Sequence, residues 1–343
     1  MIYPAPLKKG GTIAITAFSA GISERHERRF SEIIRTLEGK GFIVKIGNCL
    51  KGDIKHVSAS AEARANELQS FLLDDTIDAI APPWGGELAI ELLPLLDFKQ
   101  LSKAKPKWMF GFSDVSTITV ALNFKLNWAT AHSSNLMDLI DTSEDVLTSQ
   151  TLTYLGYSPG ERFKQEASNK FTRNWPKIDI DPLASIKGEL GTEWKWLVKP
   201  VDKDHFSGRL IGGCWDTIVH LFETPYLNIG ELSTRNNDGL ILFLENVEMS
   251  PCDLVRSILS MEFRGIFNAI DGLILGRNFR LDSKSDDDLH YIDVLKQHLS
   301  NKNIPVIYDV DIGHCPPNLT LINGALASIG ITNGKGFVDQ KLV

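Results

Sequence analysis

The segment KWMFGFSDVSTITVALNF, residues 107–124, sets a serine at a sharp turn between an apolar strand and an apolar helix. Such a turn lifts the Ser113 hydroxyl above a sheet, where the helix N-terminus and the amide of Asp114 face the negative charge that builds on an attacked carbonyl. That is nucleophile chemistry. The familiar elbow is G-x-S-x-G, and here Val115 stands at its last position. Ser113 or Asp114 serving as a helix cap is the competing structural reading.

A hydroxyl nucleophile needs a base, and the base needs a group that fixes its tautomer. Two residues of the C-terminal half fit those roles. Glu245 ends the apolar run GLILFLE, where a carboxylate without a partner is expensive. His314 lies in DVDIGHCPPN, on a loop after a strand and ahead of a stiff Pro-Pro pair. Alone, Glu245 also reads as a solvated strand end and His314 as an ordinary loop histidine. Of the other histidines, His132 is the strongest rival. Trp84-Gly85-Gly86-Glu87 follows the strand-like AIAPP and precedes IELLPLL, and its glycines let backbone amides approach a ligand closely. A plain turn is the alternative. No G-x-G-x-x-G follows a strand, so a dinucleotide cofactor is not indicated.

The elements that must carry these residues alternate in the βα manner. Strands are expected at Thr12–Thr16, Ile43–Ile46, Asp78–Pro82 and Lys107–Phe112, with helices at Glu24–Lys40, Ala61–Leu73, Glu87–Leu96 and Val115–Leu126. This predicts a doubly wound domain over residues 1–140. Residues 141–205, rich in Ser, Thr, Lys, Asp and Pro, read as linker and insertion, with Trp175, Trp194 and Trp196 as their apolar features. A second α/β domain is expected over 206–343. Its strands are Gly208–Gly212, Leu240–Glu245, Asp271–Leu275 and Pro305–Tyr308, and its helices lie near Trp215–Phe222, Leu254–Glu262 and Asp287–Leu299. The acidic run Asp286, Asp287, Asp288 reads as a solvated helix start rather than a metal site.

Composition narrows the functions. The 343 residues carry 36 Lys and Arg against 43 Asp and Glu, a net charge of −7 with no basic run, which argues against a nucleic-acid polymer as partner. No apolar run is long enough to span a bilayer, and the start MIYPAPLKKGG lacks a signal-peptide core, so a soluble cytoplasmic protein is expected. Four scattered cysteines form neither a zinc pattern nor a disulfide framework.

Six ordered blocks then resemble the LD-carboxypeptidase family of serine peptidases, which includes muramoyl-tetrapeptide carboxypeptidases and microcin C immunity peptidases. They are WGGELAIELLPLLD, MFGFSDVSTI, GRLIGGCWDTI, LFLENVE, GLILGRN and IPVIYDVDIGHCPPNLTL, and together they cover nearly the whole chain. The resemblance implies Ser113 as nucleophile, Glu245 as orienting carboxylate and His314 as general base, with the amides of Gly86 and Asp114 receiving the oxyanion. It implies a flavodoxin-like or Rossmann-like N-terminal domain, a C-terminal domain with a small barrel-like sheet, an active site between them, and often a homodimer. Neither metal nor cofactor is implied. Its substrates are small peptides or peptide–nucleotide conjugates, for which Trp84, Gly85, Trp194, Trp196 and Arg277 are the candidate binding residues. The aromatic faces of the insertion suit a nucleobase or an anchor to the domain surface, and Arg277 suits a substrate's negative charge or a surface salt bridge. Against this stands a non-catalytic two-domain binding protein, which would hold the same ligands without turnover. A cysteine hydrolase is disfavoured because no cysteine occupies the turn at residue 113.

Overall fold

The computed structural model describes residues 1–235 and 237–343. The N-terminal strands are β1 (Thr12–Ile15), β2 (Ile43–Ile46), β3 (Ala79–Ala81), β4 (Trp108–Gly111) and β5 (Thr130–His132). They pair in parallel, and strand β14 (Leu321–Asn323), from near the far end of the chain, adds antiparallel to β5. The sheet order is β14-β5-β4-β3-β1-β2. Helix Glu27–Gly39 buries the periodic stripe of Phe30, Ile33 and Leu37, and helices Ala61–Leu73 and Val115–Leu126 form over the expected residues. The helix expected over Glu87–Leu96 is instead a single 3-10 turn, Ala89–Leu92, followed by turns.

A larger sheet carries the C-terminal half. It comprises β6 (Arg162–Glu166), β9 (Lys195–Val198), β10 (His205–Cys214), β11 (Leu240–Glu245), β12 (Gly272–Gly276), β13 (Val306–Val310), β15 (Leu326–Thr332) and β16 (Lys335–Lys341), in the order β6-β16-β15-β10-β11-β12-β13-β9. Strands β10 to β13 run parallel, and the flanking pairs are antiparallel. The architecture is mixed α/β, with a mostly parallel sheet and a larger mixed one. Segment 141–205, expected as linker and insertion, supplies both end strands of this second sheet, β6 and β9, and a small hairpin of β7 (Lys170–Phe171) with β8 (Leu190–Gly191). Alternation is visible in β6, where Phe163 and Gln165 are buried and their neighbours exposed. The acidic run at 286–288 lies in an exposed turn. The helix begins only at Tyr291, with His290 at its N-cap position, so the run is not a helix start.

The two sheets meet across helix Val115–Leu126, which is buried on nearly every face. One continuous apolar cluster joins Ile118 and Leu122 of this helix to Trp215, Leu242 and Leu244 beyond β10. Strand β10 reaches the helix because Gly213 has no side chain, since a Cβ there would lie 2.4 Å from Ser116 Oγ. The Cys214 amide donates to that hydroxyl at 2.9 Å, and Cys214 pairs in register with Glu245. Among the described residues, no helix is long and apolar enough to cross a membrane. Gly213→Ala is expected to push the strand off the helix and to lower stability by roughly 1–3 kcal/mol, the usual range for overpacking. Urea denaturation measures it, and an unchanged midpoint would show that this contact is not tight in solution.

Candidate active site

Ser113 sits between β4 and helix Val115–Leu126 with φ 64°, a left-handed conformation that a serine rarely adopts. Neither capping alternative holds, because the helix N-cap residue, Asp114, makes no side-chain cap bond. The Asp114 carboxylate instead accepts from Ser19 Oγ at 2.7 Å, the Ala89 amide at 2.7 Å and Thr117 Oγ1 at 2.9 Å. It thereby fastens the Ser113 turn to the end of the Trp84–Glu87 loop. Among the described residues, the amides of Gly86 and Asp114 donate to no protein group.

Glycines close that loop over the serine. A Cβ on Gly85 would fall 2.8 Å from the Asp114 nitrogen and 3.0 Å from Ser113 Oγ. Gly86, at φ 147°, would place one 2.4 Å from Ser19 Oγ. Both positions need glycine for close approach.

His314 arrives from the loop after β13, and Glu245 from the end of β11. His314 Nε2 lies 3.2 Å from Ser113 Oγ, and Nδ1 lies 2.8 Å from Glu245 Oε2. With the proton on Nδ1, the imidazole donates to the carboxylate and its Nε2 accepts from the serine hydroxyl. The Phe112 ring meets the imidazole edge-on at 4.9 Å and restricts its swing. Glu245 is 1% exposed. Burial pushes its carboxyl up, but the charge and hydrogen bond of His314 outweigh burial and hold it below the ordinary value. Burial likewise pulls His314 down, while Glu245 pulls it up harder, so the net shift is upward from 6.5. Gly313 is required beside this pair, since a Cβ there would lie 2.1 Å from Glu245 Oε2.

Cys214 Sγ completes a cluster in which one donor atom each from Cys214, Glu245 and His314 lie within 4.8 Å of one another. These are metal-type donors. The imidazole and carboxylate are engaged with each other, and burial with the nearby Glu245 charge pushes the thiol well up, which keeps it protonated.

A cavity of about 300 Å³ opens at Ser113 and His314. Trp84, Gly85 and Gly86 line it, and so does Trp175, whose ring stacks on Phe112 at 6.0 Å and 12°. Three expected binding residues are elsewhere. Trp194 is 3% exposed and donates through Nε1 to Asp311 at 2.8 Å. Trp196 packs 6.1 Å from the Phe206 ring in a separate apolar cluster. Arg277 is buried and spent on an ion pair with Asp311 and on bonds to the Cys315 carbonyl and Thr192 Oγ1, both at 3.1 Å. It anchors the loop behind His314 and does not face the cavity. His132 is no base either. It is buried with both ring nitrogens unbonded, lies 5.3 Å edge-on to Phe243, and is pulled down to about 4 by burial.

Sequence reasoning missed Arg29, Asn135 and Asp138 in the cavity wall. Arg29 carried one signal, because it shares the buried helical stripe of Ile33 and Leu37. Burial pushes the Asp138 carboxyl up to about 6 against the pull of Arg29.

The N-terminal and C-terminal domain models of the LD-carboxypeptidase family match residues 13–133 and 207–329. The chain belongs to the LD-carboxypeptidase family. It is 26% identical to the microcin C7 self-immunity protein MccF of Escherichia coli over 97% of this chain and 94% of that one. A Bacillus subtilis protein named for murein peptide carboxypeptidase activity is 24% identical over 98% and 94%. The structure of MccF in complex with aspartyl sulfamoyl adenosine superposes with a TM-score of 0.83 at 22% identity, covering 99% of each chain. This protein is a peptidase of that family, which removes the non-catalytic alternative. Gly85→Ala is expected to keep the fold and lower kcat/KM at least about 100-fold by displacing Ser113 and the Asp114 amide. Steady-state kinetics with circular dichroism checks this, and near-wild-type turnover would show that the loop yields.

Proposed function

We propose that the chain hydrolyses the terminal amide of a small peptide or peptide–nucleotide conjugate through Ser113, His314 and Glu245. The observation that carries this is the hydrogen-bonded line from Ser113 Oγ through the imidazole to the buried Glu245 carboxylate, open to the cavity at its serine end.

His314 Nε2 takes the Ser113 proton as the hydroxyl attacks the amide carbonyl. The free amides of Gly86 and Asp114 donate to the oxyanion. Glu245 stabilises the imidazolium and holds its orientation. Collapse of the intermediate expels the amine, which takes the proton from Nε2 and leaves an acyl-Ser113. Water, deprotonated by His314, then attacks the acyl carbonyl and restores the serine. The aromatic side chains of Phe112, Trp175 and Trp84 in the cavity wall favour a leaving group or acyl group with a flat ring. MccF has been captured with aspartyl sulfamoyl adenosine, which makes such a conjugate the first substrate to try. A cytoplasmic homodimer is the proposed setting, on the family resemblance.

Mass spectrometry of products from aspartyl sulfamoyl adenosine and from an L-Ala-D-Glu-meso-diaminopimelate-D-Ala tetrapeptide tests the reading. Wild type is expected to split at least one of them and Ser113→Ala neither. Turnover surviving in Ser113→Ala would sink the assignment. The pH profile is an independent test. Activity needs neutral His314, and its pKa is raised, so kcat/KM is expected to fall with decreasing pH through a value above 6.5. Glu245→Gln removes the charge that raises it most, leaves burial opposed only by the weaker pull of Asp216 and Glu248, and is expected to move that limb to lower pH while cutting kcat about 10⁴-fold. A limb that stays in place would show that Glu245 does not act on His314.

A further inference from the structure

The cavity holds polar capacity that the hydrolytic steps leave unused. Arg29 is 1% exposed, and its Nε and Nη1 are committed to the carbonyls of Met137, Pro182 and Ala184 at 2.8–2.9 Å. Among the described residues its Nη2 has no hydrogen bond. Asn135 accepts the Phe112 amide on Oδ1 at 3.0 Å, which assigns Nδ2 as the free end. Among the described residues Asp138 accepts one bond, from the Asn135 amide on Oδ2 at 3.1 Å, and Oδ1 accepts none. No ion pair joins Arg29 to Asp138, although both line the cavity with Ser113 and His314. The rest of that wall is largely apolar: Trp84, Met137, Trp175, Ile178 and Ile186.

A few polar groups facing an otherwise apolar cavity are what orient a ligand there. Two donors and one anionic acceptor ask for a ligand that carries a cationic donor next to an oxygen acceptor. We propose that Asp138 is a specificity residue that binds a free ammonium group of the substrate, while Arg29 and Asn135 donate to a neighbouring carboxylate or carbonyl oxygen. The inference rests on the hydrolase reading above and adds to it that the substrate's amine is unblocked. A lysine-like or terminal amine and an adjacent oxygen meet this demand, whereas an N-acylated residue leaves the Asp138 carboxylate unpaired.

The test uses the full chain and two pairs of probes: aspartyl sulfamoyl adenosine with its N-acetyl form, and the diaminopimelate tetrapeptide with its counterpart acetylated on the distal amine. In whichever pair is cleaved, wild type is expected to prefer the free amine by roughly 10–150-fold in kcat/KM, the range for a hydrogen bond to a charged group. Asp138→Asn keeps the shape and the bond to the Asn135 amide, and the preference is expected to shrink to about threefold or less. Should that variant not fold, as read by its thermal transition, Asp138→Ser takes its place. Equal rates on the free and blocked forms with wild type, or an undiminished preference in the variants, overturn the inference while the hydrolase reading stands. Cleavage of no probe by wild type overturns both.

Discussion

The arrangement of this enzyme depends on one close approach, strand β10 against the helix that follows Ser113. The Cys214 amide bonds to Ser116 Oγ, one turn along from Ser113, and Cys214 stands in register with Glu245. A serine from one sheet and a carboxylate from the other are thus tied by two backbone registers and a single hydroxyl. Imidazole geometry tolerates little error, because the gain from orientation falls steeply with displacements of about 1 Å. Gly213 permits that approach, and the shared apolar cluster of Ile118, Trp215 and Leu242 keeps the two units from sliding.

Charge placement follows the same economy. Glu245 is buried where a lone carboxylate is unfavourable, and its partner is the His314 imidazole, which its charge raises and its oxygen orients. Gly313 leaves room for the pair to touch. Asp114 shows the complementary use of a buried carboxylate: saturated by three donors, it is a strut that locks the glycine loop to the serine turn. Arg277 and Asp311 do the same behind the His314 loop.

The strands and helices around the site were mostly legible because their signals are local. Val115–Leu126 and Leu240–Glu245 are apolar runs whose length and flanks decide their type. Glu87–Leu96 misled because its apolar residues fall at helical spacing, yet the loop is held by Asp114 and Ser19 and only one 3-10 turn forms. Segment 141–205 misled for the opposite reason. Its strands β6 and β9 lie at the two ends of a sheet, half exposed and short, so their composition is polar and their pairing partners are far away in the chain.

By itself the sequence determined the alternating α/β order, the serine on its strand–helix turn, and the likeness that singles out Ser113, Glu245 and His314. Those are properties of runs and blocks, written in neighbouring residues. Which tryptophan faces the cavity was decided only in three dimensions. Trp175 meets Phe112 across the wall while Trp194 turns inward to Asp311, and no local spacing distinguishes them. Arg29, Asn135 and Asp138 became neighbours for the same reason. Their meeting requires helix Glu27–Gly39 to pack against the turn after β5, a contact between segments about a hundred residues apart that only the closed sheet and its covering helices create.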